Sequence, residues 1–272
     1  MCKDCGCGGE TTHEHEYVHT HDGSTHSHRH AHGHDHDHAH PHEHGHDHPH
    51  DHAHEAEVRT VSVREKILSK NDEAAARNRA WLKAHGVVAV NLISSPGSGK
   101  TYLLERTLER LRGRVPCAVI TGDQRTDNDA RRLMGKGAPV KQIETLNSCH
   151  LDAEQVGRVL EEVAGDGVKL LFIENVGNLV CPSAFDLGED FKIALLSTTE
   201  GEDKPVKYPS LFSSAPVAVL TKLDLVPHLD WNAAACRAAL RQVRPGVFIF
   251  ELSAKTGLGM EAWLDYLAKL VE

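Results

Sequence analysis

The segment SSPGSGKT, Ser94 to Thr101, joins a glycine-rich turn to a lysine and a hydroxyl residue. That combination suits phosphate chemistry. Backbone N–H groups around Gly97, Ser98 and Gly99 can cradle phosphate oxygens at a helix start. Lys100 supplies a cation for the β- and γ-phosphates, and the Thr101 hydroxyl can ligate Mg2+. Tyr102 continues the same nucleotide-contact segment. Ser94 stands where GxxxxGK[ST] usually has its first glycine.

Three further segments bear on the nucleotide. TKLD, Thr221 to Asp224, ends an apolar run, with Thr221 in the usual asparagine position of NKxD. Lys222 and Asp224 are the base-site candidates. Asp224 can accept from guanine N1–H and the 2-amino group, whereas adenine would leave it unpaired, and such sites reject analogues by roughly 10⁴ or more. SAK, Ser253, Ala254 and Lys255, lies at the place expected for a second base contact, so the three segments in this order favour GTP over ATP. IENVG supplies Glu174 for the Mg2+ or water shell and Gly177 as a γ-phosphate-sensing amide. Asp123, in TGDQRTDND, is a second Mg2+-shell carboxylate, and Asp127 a weaker one. The catalytic set is therefore Lys100, Thr101, Asp123 and Glu174. Acids at such positions also serve as helix caps or solvated loop residues, a reading equally open for Asp127.

A different chemistry is concentrated elsewhere. Nineteen of the 22 histidines lie between His13 and His54, alternating mostly with Asp, Glu, Ala, Gly and Pro. Imidazole is well suited to nickel, zinc and copper near neutral pH. An extended HxH repeat points its rings to one side, giving many overlapping sites suited to storage. Cys2, Cys5 and Cys7 form CxxCxC. With Met1 removed, the Cys2 amine adds a nitrogen to the three thiolate sulfurs, a donor set that can be square-planar and so favours Ni2+ over Zn2+. Cys149 and His150 are adjacent in NSCHLD, and Cys181 lies seven residues past Glu174. Those three ligands leave a position open or shared with another subunit; the bland alternative is three unrelated loop or core residues. Cys117, Cys236, His85 and His228 read as structural.

The elements that must position these residues follow from the pattern. Residues 1–9 are a Cys/Gly head, 10–57 the His-rich tract, 58–86 a helical linker and 87–272 a nucleotide-binding domain. From Val87 onward, β-branched apolar runs alternate with helical stretches, which implies an α/β fold: a mostly parallel sheet flanked by helices, of the P-loop NTPase class. Ligands in such folds sit at the carboxyl ends of strands, where every motif above falls.

Charge divides the chain. Residues 1–57 carry two basic and twelve acidic side chains, a net of −10, which leaves 28 basic and 27 acidic residues for the remainder. The tract holds too few large apolar groups to offset the entropy of ordering and is expected to be disordered without metal. No basic stripe marks a nucleic-acid footprint, and no run is long enough for a membrane span. The start lacks the apolar stretch of a signal peptide, and the clustered thiols suit a reducing cytoplasm.

Together the CxxCGCG head, the His tract, SSPGSGKT, TGD, NSCHLD, IENVGNLVCP, TKLDL and SAKTG resemble the hydrogenase nickel-incorporation GTPases, the HypB family. The pairing of NSCHLD with ENVGNLVCP is the most specific part. The resemblance implies a slow GTPase that cycles between GTP and GDP with Mg2+ and dimerises with GTP. It implies Ni2+ or Zn2+ held by Cys149, His150 and Cys181 near the dimer interface, with the head a tight nickel site. It also implies a HypA-type metallochaperone partner and nickel delivery to the large subunit of [NiFe]-hydrogenase. Two other readings fit the residues: a nickel store with a minor GTPase role, and a urease-maturation GTPase, although the latter family lacks the CxxCGC head.

Overall fold

The structure, a computed structural model, describes residues 16–21, 24–29, 52–123, 128–145 and 148–272. Two strands fall inside the tract that composition assigns to disorder: β1 (Glu16–His21) and β2 (Ser24–Arg29), paired antiparallel. Asp-Gly separates them in sequence, a dipeptide that favours two-residue hairpin connections, and Val18, Thr20 and Thr25 are β-branched. The rest of the tract up to Asp51, and the CxxCxC head, lie outside the described residues.

Helix α1 runs His52–His85, beginning before the expected boundary at residue 58. Ala53, Glu55, Ala56 and Glu57 are good helix formers, so the tract's last residues join the helix. Gly86, at φ 64°, ends it in the left-handed region open to glycine. The buried positions Asn71, Ala74, Ala75, Asn78 and Leu82 repeat at helical spacing and form the stripe that packs on the domain.

The domain then alternates strand and helix. β3 (Val88–Ser94), α2 (Lys100–Leu111), β4 (Cys117–Asp123), α3 (Asn128–Leu133), β5 (Val140–Glu144), α4 (Ala153–Val163) and β6 (Leu170–Glu174) come first. Next are α5 (Cys181–Ala184), β7 (Phe191–Ser197), α6 (Lys204–Lys207), α7 (Pro209–Ser214) and β8 (Val217–Thr221). A 3-10 turn (Leu223–His228), α8 (Ala233–Val243), β9 (Phe248–Glu251) and α9 (Met260–Lys269) complete it. The seven domain strands form one parallel sheet in the order β5-β4-β6-β3-β7-β8-β9. The short helices α5, α6 and α7 are additions to the elements expected from periodicity.

Alternate strand residues feed opposite faces, as strand geometry requires. Val90 and Leu92 of β3 join α2 and α9 in one core around Trp263, whose Nε1 donates to Thr107 Oγ1 at 3.0 Å. Ala89, with Ala118, Ile120, Leu171 and Ile173, faces α1 and α4 in a second core. Ile93 belongs to a third, under α7 and α8. From central β3 the chain forms β4 and the edge strand β5 on one side, returns to β6 beside β3, and then builds β7, β8 and β9 on the other side, so the crevice opens at the carboxyl end of β3.

Candidate functional site

The phosphate loop leaves β3 at Ser94 and enters α2 at Lys100. Gly97 and Gly99 hold φ of 74° and 95°, so both need glycine. The unusual Ser94 has a defined role. Its buried hydroxyl accepts from Lys100 Nζ at 2.8 Å, bonds Ser98 Oγ at 2.5 Å and donates to Ser95 O at 2.8 Å. Burial lowers the Lys100 pKa, against the raising pull of Glu174 and other nearby acids.

Glu174 ends β6 beside this loop. Thr101 Oγ1 donates to its Oε1 at 2.6 Å, while the buried Oε2 has no hydrogen-bond partner. Burial pushes the Glu174 carboxyl up to about 7, although Lys100 and the Thr101 bond pull it down. A cavity of about 380 Å3 brings together Gly97, Lys100, Thr101, Tyr102, Asp123, Glu174 and Gly177. A Cβ on Gly177 would lie 3.0 Å from Pro96 Cα and 3.1 Å from Pro96 N, so a side chain here would press on the phosphate loop that this segment closely approaches. Asp129 and Arg132 of α3 also line the cavity, and sequence reasoning passed over both. The Arg132 guanidinium lies 4.8 Å over the Tyr102 ring and pairs with Glu105. Asp127 lies outside the described residues.

The base-site candidates lie beyond the other flank of the loop. Thr221 Oγ1 donates to Ser98 O at 2.7 Å, which is what threonine does in the asparagine position. Lys222, with φ 61°, is the one described non-glycine residue in the left-handed region, and its Nζ donates to Gly97 O at 2.7 Å. Ser253 Oγ donates to Asp224 Oδ1 at 2.6 Å, so TKLD and SAK meet. Half-buried Ala254 packs on the α2–α9 core, whereas Lys255 is exposed.

The internal metal candidates converge. Ligand atoms of Cys149, His150 and Cys181 all lie within 4.8 Å of one another. Cys149 and His150 lead into α4, whose start is fixed by a capping box between Asp152 and Gln155. His150 stacks on Phe185 at 3.9 Å between centroids, and burial lowers its pKa. Cys181 is buried as the first residue of α5, and Asn178 Oδ1 accepts from Val180 N at 2.8 Å and Cys181 N at 3.4 Å. Two thiols and an imidazole form a soft set suited to nickel or zinc. Cys117 and Cys236 lie in apolar cores, where burial pushes their thiols up to about 12. His85 stacks on Trp81 at the end of α1, and His228 is exposed at the end of the 3-10 turn. No described helix is long and apolar enough to cross a membrane.

The helix α1 is fixed beside this region by two buried asparagines that sequence reasoning also missed. Asn71 bonds Asp186 O at 2.8 Å and Ala153 N at 2.9 Å. Asn78 Nδ2 donates to Ala153 O at 2.7 Å and Leu187 O at 2.9 Å. Their signal was polar residues on the stripe that otherwise holds Ala74, Ala75 and Leu82.

Comparison with known proteins identifies the family of the domain that carries these residues. The family model for the CobW/HypB/UreG nucleotide-binding domain matches residues 88–251. The chain is 51% identical over 214 residues to the hydrogenase maturation factor HypB of Azotobacter chroococcum mcd 1, covering 79% of this chain and 70% of that one. Among solved structures, HypB of Helicobacter pylori in complex with nickel is 36% identical with a TM-score of 0.69, covering 74% of this chain and 94% of that one. HypB of Archaeoglobus fulgidus is 37% identical with a TM-score of 0.71, covering 75% and 100%. The chain belongs to the HypB family of hydrogenase maturation factors.

Proposed function

We propose that this chain hydrolyses GTP and uses the nucleotide state to gate a metal held by Cys149, His150 and Cys181, delivering nickel to [NiFe]-hydrogenase. The observation that carries this reading is the convergence of those three ligands, within 4.8 Å, on the segment that leaves Glu174. The likeness to a HypB solved with nickel supports nickel as cargo. Zn2+ fits the same soft ligands.

On this reading Lys100 leaves the Ser94 hydroxyl for the β- and γ-phosphates, and the Gly97–Gly99 amides wrap them. Asp224 reads guanine, with Ser253 fixing its orientation. The residues fit Mg2+, because Glu174 presents an unpartnered buried carboxylate oxygen beside the Thr101 hydroxyl, with Asp123 in the same cavity. Bound there, the ion would neutralise charge on the β- and γ-phosphates. The Gly177 amide closes on the terminal phosphate and carries the segment to Cys181 with it. Turnover without a partner is slow on this reading, because the motifs identify no arginine finger for the transferred phosphate.

The partners proposed are a second copy of the chain, joined when GTP binds, a HypA-type metallochaperone and the hydrogenase large subunit, all in the cytoplasm. The head serves as a tight nickel site and the tract as a nickel reservoir. The direct test is phosphate release from GTP by the wild type and Lys100→Ala. The reading requires hydrolysis by the wild type and its loss in the variant; equal release by both would overturn it.

A further inference from the structure

A chain of buried polar groups crosses the core between the nucleotide and metal segments. Asn91 interrupts the apolar run of β3 and is fully buried, and Asn175, Glu189 and Lys192 are 1%, 5% and 8% exposed. Asn175 Oδ1 accepts from two backbone amides, Val176 N at 3.0 Å and Leu151 N at 3.1 Å. Its Nδ2 donates to Asn91 Oδ1 at 3.3 Å, and Asn91 Nδ2 donates to Glu189 Oε1 at 3.1 Å. Glu189 Oε2 accepts from Leu187 N at 2.6 Å, and its Oε1 lies 3.9 Å from Lys192 Nζ. Lys192 Nζ donates to Ser183 O at 2.9 Å.

Stability alone is a poor reason for this chain. A buried ion pair can often be replaced by apolar side chains without loss of stability. A satisfied polar network does something else: it fixes groups relative to one another. The ends of this network are informative. Leu151 directly follows His150, Ser183 is two residues past Cys181, and Val176 directly precedes Gly177. One network therefore grips both metal-bearing segments and the segment facing the phosphate loop.

We propose that Asn175, Asn91, Glu189 and Lys192 are positioning residues that convert closure of the Val176–Gly177 peptide into a changed spacing between His150 and Cys181. This rests on the reading of a nucleotide-gated metal site. The shared acceptor is the mechanical element. Drawing Val176 toward the phosphates either strips that amide from Asn175 Oδ1 or turns the side chain with it. Both change its hold on Leu151 and hence on His150. Cys181 is held from the other end through Ser183, Lys192 and Glu189, so the ligand set opens or tightens as a unit.

The test uses the full chain with Cys2, Cys5 and Cys7 changed to Ser. Cobalt–thiolate charge-transfer absorption then reports Cys149 and Cys181, because they sit with His150 in the one group of three potential ligands among the described residues, whereas Cys117 and Cys236 lie in apolar cores. Co2+ is titrated with GDP and with a non-hydrolysable GTP analogue, in this parent, in Asn91→Leu and in Lys192→Met. Thermal melting checks folding. The parent is expected to show affinities that differ between nucleotides by roughly 5-fold or more. In the folded variants the ratio should fall toward unity while Co2+ still binds. A parental ratio retained in folded variants would overturn the relay, and Lys192→Met decides alone if Asn91→Leu does not fold. A parent without any ratio would overturn the gated-site reading beneath it.

Discussion

Replacing Glu174 with Gln separates the cost of a buried charge from its use. The Glu174 carboxyl is raised from 4.5 to about 7, with burial the main cause. At about 1.4 kcal/mol per unit of pKa, holding it ionised costs the folded chain about 3 kcal/mol. The sign follows from linkage: the folded state keeps the proton that the unfolded state releases, so stability falls as pH rises from 4.5 to about 7. Glutamine is neutral throughout and can still accept from Thr101. Urea unfolding without nucleotide or Mg2+ should therefore show the variant and wild type nearly equal near pH ~4.5, diverging to about 3 kcal/mol in the variant's favour by pH ~8. A difference independent of pH, or one that shrinks as pH rises, would refute the reasoning. The same variant should lose Mg2+-dependent tightening of GTP binding, tying the destabilising charge to the ligand it serves.

Two other outcomes follow from the geometry. Gly188 has φ 93°, and a Cβ there would lie 2.6 Å from Asn78 Cβ and 2.7 Å from Ala75 O. Gly188→Ala should cost at least about 2 kcal/mol by urea unfolding and expose α1 to proteolysis, since strain and clash both fall on its docking. Asp224→Asn should weaken GTP binding by roughly 10²-fold or more and improve binding of the xanthine nucleotide, whose 2-oxygen accepts from the new amide; equal loss for both bases would place Asp224 away from the base.

Much of the fold was legible because six of the seven domain strands are mostly apolar runs, β5 with its Lys141, Gln142 and Glu144 being the exception, and each is bounded by turn residues or helical periodicity. The motifs were legible for a related reason: phosphate and base chemistry demands fixed residue types at the ends of those strands. The proximity of Cys149 and His150 to Cys181 is a consequence of tertiary pairing. It depends on β4 lying beside β6, with Thr121 opposite Glu174, so no local spacing reports it. The clamping of α1 was also hidden, because Asn71 and Asn78 are weak helix formers whose value lies in backbone groups at Ala153, Asp186 and Leu187. The β1–β2 pair was missed because composition was weighed over the Asp-Gly signal between its strands.

The central claim, that nucleotide state sets metal affinity at Cys149, His150 and Cys181, is tested most directly by equilibrium nickel binding. The full chain with Cys2, Cys5 and Cys7 changed to Ser would be titrated with Ni2+ in GDP and in a non-hydrolysable GTP analogue. Nickel–thiolate absorption is the readout, and the same titrations are run with Cys181→Ala added. The account requires affinities that differ between the two nucleotides and a difference that disappears without Cys181. Equal affinities in both nucleotide states would contradict it and leave the chain a nickel store whose P-loop serves another purpose.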